Sequence, residues 1–217
     1  VLIMVNYRTV FLINSLTLLL LGLVTLCLSL FGSSVKGLFF PPCLATYPGA
    51  GFLFLMFQML FYFSVMICVF SFGLLRTIQP NRPENQFILG SALVTGFFLF
   101  NEVSRTHVHL GRAGFPKVTI VIIYAVAAAA YGLTFRRQIK STPYFLLISG
   151  VGLLFLAFFA EALPLKDEVI SSLVEGIPKL LSGVNIALYF WFVCQGLILR
   201  SINFSNKTSN PELSKFN

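Results

Sequence analysis

Charge is scarce in this sequence. Asp, Glu, Lys and Arg together make up 10% of its residues, against roughly 25% in a soluble domain, so the chain cannot coat a water-facing surface. Acids are scarcer still, seven against fifteen bases, and there are two histidines and one tryptophan. The four cysteines, Cys27, Cys43, Cys68 and Cys194, stand alone with no CxxC pair. That excludes a disulfide framework and a zinc ribbon. The three inside apolar runs read as small hydrophobes, and Cys43 lies in a loop. No G-x-S-x-G, Gly-rich phosphate loop or HExxH is present, so no motif assigns catalysis and a non-enzymatic role is expected. GSALVTG has no partner His in a later helix, which argues against a membrane serine protease. Both histidines lie on one connector, which argues against haem held between helices. No cofactor is expected. The absence of an internal repeat removes support for an inverted-repeat transporter.

What fills the sequence instead is apolar surface. Hydrophobic residues make up 57% and Phe alone contributes 25, for a mean hydropathy of +0.90. Crossing a hydrocarbon core of about 30 Å takes roughly 20 apolar residues as a helix, and unpaired backbone is not tolerated in lipid. Six segments fit or nearly fit: 10–31, 51–75, 87–100 (extended to 103), 118–135, 144–163 and 177–199. The expected fold is all-α: a polytopic helix bundle with six transmembrane helices, residues 1–200 forming one domain and 201–217 a polar, disordered tail. The first segment is too long for a signal h-region and reads as a retained anchor.

The connectors carry the expected breakers. Phe39, Phe40, Pro41 and Pro42 suggest a partly inserted loop, and RTIQPNRPEN a Pro-rich turn. RRQIKSTP ends with Pro143 opening the fifth helix. PLKDEVISSLVEG reads as a short amphipathic helix along the membrane surface.

With six spans both termini share a face. Nine Lys and Arg lie there (Arg8, Arg76, Arg82, Arg136, Arg137, Lys140, Arg200, Lys207, Lys215) against six opposite. The bias places both termini in the cytoplasm of a cell-membrane protein. The bases are scattered beside apolar runs without interleaved aromatics, so the expected partners are the lipid bilayer and other membrane subunits, with no nucleic acid.

This topology gathers acids on the other side: Glu102, Glu161, Asp167, Glu168 and Glu175, joined by His107 and His109. At 100° per residue Ser91, Thr95 and Glu102 share one face of the third helix within about 40°. Glu175, Lys179, Ser182, Asn185 and Tyr189 share a face of the sixth within about 120° and should face protein. Glu175 and Lys179 are an i,i+4 pair in the favourable order. The expected site is a polar vestibule at the ends of the third and fifth helices and the start of the sixth. It would bind or sense a small solute or cation, or relay protons; the alternative, given the Phe-rich surface and the lack of a strong motif, is a structural or assembly subunit of a larger membrane complex. The competing reading leaves these groups in the headgroup layer, paired with Arg105 and Lys179.

His107 and His109 with Glu102 invite a metal site and a membrane-embedded metal-dependent hydrolase. An i,i+2 pair converges only on a strand or loop, however, and no third His exists, so a headgroup or capping role is favoured. Asn14, Gln58 and Gln195 read as buried amides making interhelical hydrogen bonds. Gly90, Gly96, Gly150, Gly152, Gly183 and Gly196 read as close-packing sites.

The stretch FLFNEVSRTHVHLGRAGFP, followed by EGIPKLLSGVNIALYFWF, resembles a loosely defined group of uncharacterised bacterial multi-pass proteins over residues of about 90–195. In that group an acidic pair precedes a histidine at one helix end, and a second pair, followed by Lys, opens the last helix. The resemblance carries over Glu102, His107, Glu175 and Lys179 and implies a bacterial source but no activity. Asn101 and Val174 stand where the group has acids.

Overall fold

The computed structural model describes residues 7–30, 36–39, 51–104, 106, 114, 117–162 and 168–209. Among them every regular element is helical: α1 (Tyr7–Leu30), α2 (Lys36–Phe39), α3 (Phe52–Ile78), α4 (Pro83–Ser104), α5 (Lys117–Thr134), α6 (Arg136–Lys140), α7 (Tyr144–Ala162) and α8 (Glu168–Ser209). Four are long and apolar enough to cross a membrane: α1, α3, α4 and α8. The apolar parts of α5 and α7 are shorter, at Ile122–Thr134 and Tyr144–Ala160. Among the described residues, four of the six expected spans thus reach the length of a bilayer crossing.

The helix boundaries follow from the sequence. Pro83 opens α4 in the first-turn position where its missing N–H costs nothing. Asn85 ties that turn down, its amide donating to the carbonyls of Gln79 (2.8 Å) and Pro80 (3.2 Å). Between α5 and α6 the backbone nearly continues, with Phe135 N–H bonded to Tyr131 O and Ile139 N–H to Phe135 O. The Thr142 hydroxyl then closes the end by donating to Ile139 O at 2.6 Å. Pro143 disfavours the helical conformation for Thr142, and α7 begins just beyond it. The fourth connector is therefore a helical turn, not an open loop.

Residues 164–167 lie outside the described residues. From residue 168 on, the segment read as a short surface helix is the first part of α8, and the helix continues past residue 200 to Ser209. Its 42 residues rise about 63 Å, twice the hydrocarbon thickness. Pro178 sits inside, where it leaves the Val174 carbonyl without its intrahelical donor and its ring crowds that carbonyl; Glu168–Ile177 is helical nonetheless. Residues 201–209, expected in a disordered tail, are helical; 210–217 lie outside the described residues.

Two compact units divide the described residues. One gathers those of 62–144 and 189–209, the other those of 7–61 and 145–188. The boundary passes through α3 and α8, each of which contributes residues to both units.

In the second unit the close approaches are made by glycines. A Cβ on Gly150 would stand 2.7 Å from Ile186 Cγ1, 3.3 Å from Ile186 N and 3.4 Å from the Ser182 carbonyl, so α7 and α8 meet backbone to backbone there. A Cβ on Gly183 would stand 3.2 Å from Leu60 Cδ1. In the first unit a Cβ on Gly90 would stand 2.7 Å from the Phe135 ring, and one on Gly96 would make ordinary contact with Val65. A Cβ on Gly152 would meet nothing within 4 Å among the described residues, so no close packing is seen there.

Candidate functional site

α4 carries the polar face on which the first unit is organised. Asn85, Ser91, Thr95, Asn101 and Glu102 are all buried, Glu102 to 3% exposure. The opposite face, Leu93, Phe97, Phe100 and Val103, is exposed and apolar. An apolar face turned outward with carboxyl, amide and hydroxyl groups turned inward is the inverse of a soluble helix, and it suits a helix surrounded by lipid.

α5 answers this face with two tyrosines seven residues apart, Tyr124 and Tyr131, which lie on one side of the helix. Tyr124 packs edge-on to Phe98 at 5.5 Å, one turn from Glu102 and within electrostatic reach of its carboxylate. Tyr131 meets Ser91 at 2.6 Å between oxygens, while the Ser91 hydroxyl also reaches the Phe87 carbonyl at 2.8 Å. Thr95 lies between the two levels on α4. The result is a seam of polar side chains: Glu102 beside Tyr124, then Thr95, then Ser91 with Tyr131.

The seam continues into side chains that sequence reading passed over. Tyr131 lies within electrostatic reach of Cys68 on α3 and of Tyr189 and Cys194 on α8. Cys68 and Cys194 are buried and hydrogen-bonded to each other, and Cys194 also to Ser71. Tyr189, fully buried, meets the Thr142 hydroxyl at 3.0 Å. Every member of this series belongs to the first unit.

The remaining stripe on α8 belongs to the second unit. Lys179 Nζ lies 3.9 Å from Glu175 Oε1 and over the rings of Phe57 (5.4 Å) and Phe158 (5.9 Å). Asn185 forms a reciprocal amide pair with Asn14 of α1, at 3.0 and 3.2 Å. Ser182 Oγ is buried with no hydrogen-bond partner among the described residues. The single stripe of the sequence is thus divided, with Tyr189 in one unit and Glu175, Lys179, Ser182 and Asn185 in the other.

Of the other expected site residues, Glu161 lies in α7 and belongs to the second unit. His107 and His109 lie outside the described residues, as does any metal set built on them. Among the described residues no three His, Cys, Asp or Glu side chains are grouped to hold a metal ion. The interhelical bond expected of Asn14 is present, whereas Gln195 is exposed, not buried.

The signal for the missed residues was partly available. The i,i+7 spacing of Tyr124 and Tyr131 is legible and, set against Ser91 and Glu102, marks a facing polar edge. Nothing local pairs Cys68 with Cys194 or Thr142 with Tyr189, because each contact joins residues remote in the chain.

The model of a family described as a domain of unknown function (DUF8692) matches residues 33–194, and the chain belongs to that family. The matched stretch runs from just after α1 to Cys194 and includes the whole seam. No curated protein and no solved structure matches the chain.

Proposed function

For this member of a family of unknown function, we propose an integral membrane protein with six spans that handles protons or a small cation through Glu102. The observation that carries the reading is the burial of that carboxyl group at the head of a seam of hydroxyl and thiol groups. A carboxyl inside an apolar bundle is costly and is retained where it serves an ion or proton path. Hydroxyls can donate and accept in turn, so Tyr124, Thr95, Tyr131, Ser91, Tyr189 and Thr142 are the right chemistry to pass a proton or to line a small cation's route. The lipid bilayer is the surrounding partner. No reaction is assigned.

Infrared difference spectroscopy on the purified protein tests this. Spectra taken between two pH values, and with and without added cation, should carry a carboxyl band that disappears in Glu102→Gln. Identical spectra for wild type and variant overturn the reading.

A further inference from the structure

The first unit ends opposite Glu102 in a concentration of positive charge. Arg76 closes α3, Arg82 precedes α4, Arg136, Arg137 and Lys140 lie on α6, and Arg200 lies on α8; all six are exposed. Contacts within the unit bring these scattered stretches to one end. Phe135, next to Arg136, packs on Phe87 of the first turns of α4 at 5.6 Å. Arg82 lies 4.9 Å over Phe204, one turn beyond Arg200. Among the described residues the only acid at this end is Glu84, and its Oε2 is buried without a hydrogen-bond partner. One acid cannot offset six bases.

We infer that this end is a docking surface for anionic phospholipid headgroups. Guanidinium groups match phosphate oxygens in geometry as well as charge, and clustered bases at a helix end attract an anionic leaflet over a Debye length. What favours a lipid over a soluble polyanion is the surface directly below the bases. Leu74, Leu133 and Leu199, within three residues of Arg76, Arg136 and Arg200, are exposed, Leu133 to 70%. A ligand seated there meets phosphate-binding groups at one level and apolar surface at the next, which fits a headgroup with its acyl chain. Exposed Tyr144 and Phe204 suit the interface between the two levels. From Glu84 to Glu102 along α4 is about 27 Å, close to the hydrocarbon thickness, so the basic end meets one headgroup layer and Glu102 approaches the other.

This inference rests on the membrane reading but not on the role of Glu102. The one tryptophan, Trp191, is 46% exposed and lies about 13.5 Å along α8 from Arg200, at acyl-chain depth below the bases. Its fluorescence can therefore be quenched by lipids brominated on the acyl chain. The full chain is reconstituted with brominated phosphatidylglycerol or brominated phosphatidylcholine, each competing with unlabelled phosphatidylcholine. The anionic lipid should show a relative association at Trp191 at least fivefold higher, about the factor for a single base. That preference should fall towards unity in the triple variant Arg136→Gln, Arg137→Gln, Lys140→Gln, and should weaken with salt. Equal quenching by the two lipids overturns the inference while leaving the membrane reading intact. Absence of quenching by either lipid overturns both. Displacement of the brominated anionic lipid by inorganic polyphosphate assigns the surface to a soluble polyanion and also overturns the inference.

Discussion

Asn14 and Asn185 show how polar residues act singly in this chain. Each amide donates to the other and to a carbonyl one turn back on its own helix, Val10 or Leu181, so the pair is satisfied at the centre of an apolar contact. Removing one partner leaves a buried amide unmatched, at a cost of about 1–2 kcal/mol. Asn14→Ala and Asn185→Ala should each lower the unfolding midpoint in detergent, and the double variant should lie well above the sum of the two losses. Strict additivity would show that the pair is not coupled. The same logic separates the hydroxyls of the seam. Tyr131→Phe removes one oxygen from contact with Ser91 without changing volume, so it should cost about 1 kcal/mol in stability yet slow ion movement several-fold in a flux assay.

These residue contacts were unequally legible. The periodicity of Ser91, Thr95 and Glu102 marks a buried face because a helix repeats every 3.6 residues, and the burial of that face follows. Asn14 announced a need for a partner but not which partner, since 171 positions separate it from Asn185. Cys68 and Cys194 carry no periodic mark at all and were indistinguishable from small hydrophobes until α3 and α8 were seen together.

Among the elements, α8 departs furthest from expectation. Its first ten residues, EVISSLVEGI, look like a surface segment because local composition averages over faces that the fold treats separately: Ser172 is buried while Ile170 and Val174 are exposed. Pro178 leaves the Val174 carbonyl without its donor and crowds it, a loss that neighbouring helices, hydroxyl side chains or water offset in a membrane bundle. The crossing of α7 and α8 depends on Gly150. Gly150→Ala requires Ile186 to move, with a cost of about 1–3 kcal/mol. Gly150→Leu should separate the helices and be more damaging still. Gly152→Ala, where nothing stands within 4 Å, should be neutral. Thermal unfolding in detergent measures all three, and equal effects at 150 and 152 would contradict the crossing.

For the whole molecule, the outward surface decides the environment. In the membrane-length window of α1 only 11% is buried, and Phe11, Leu12, Leu19 and Leu26 face outward. In water such a surface would aggregate; in a bilayer it is the surface lipids require. The protein should therefore stay in the membrane pellet after alkaline carbonate washing and should leave it only with detergent. Release by carbonate alone would contradict the membrane reading. Composition made this environment legible from the start, because 10% charge permits few others. The division into two units was not legible, since it cuts through α3 and α8 where the sequence shows no break.

Flux measurement in vesicles bears most directly on the proposed role of Glu102. Protein reconstituted into phospholipid vesicles, with a pH-sensitive or cation-sensitive dye inside, should dissipate an imposed proton or cation gradient. Glu102→Gln, in protein of unchanged fold, should slow that dissipation at least tenfold, while Glu175→Gln, in the second unit, should leave it near the wild-type rate. Wild-type flux in Glu102→Gln would contradict the account.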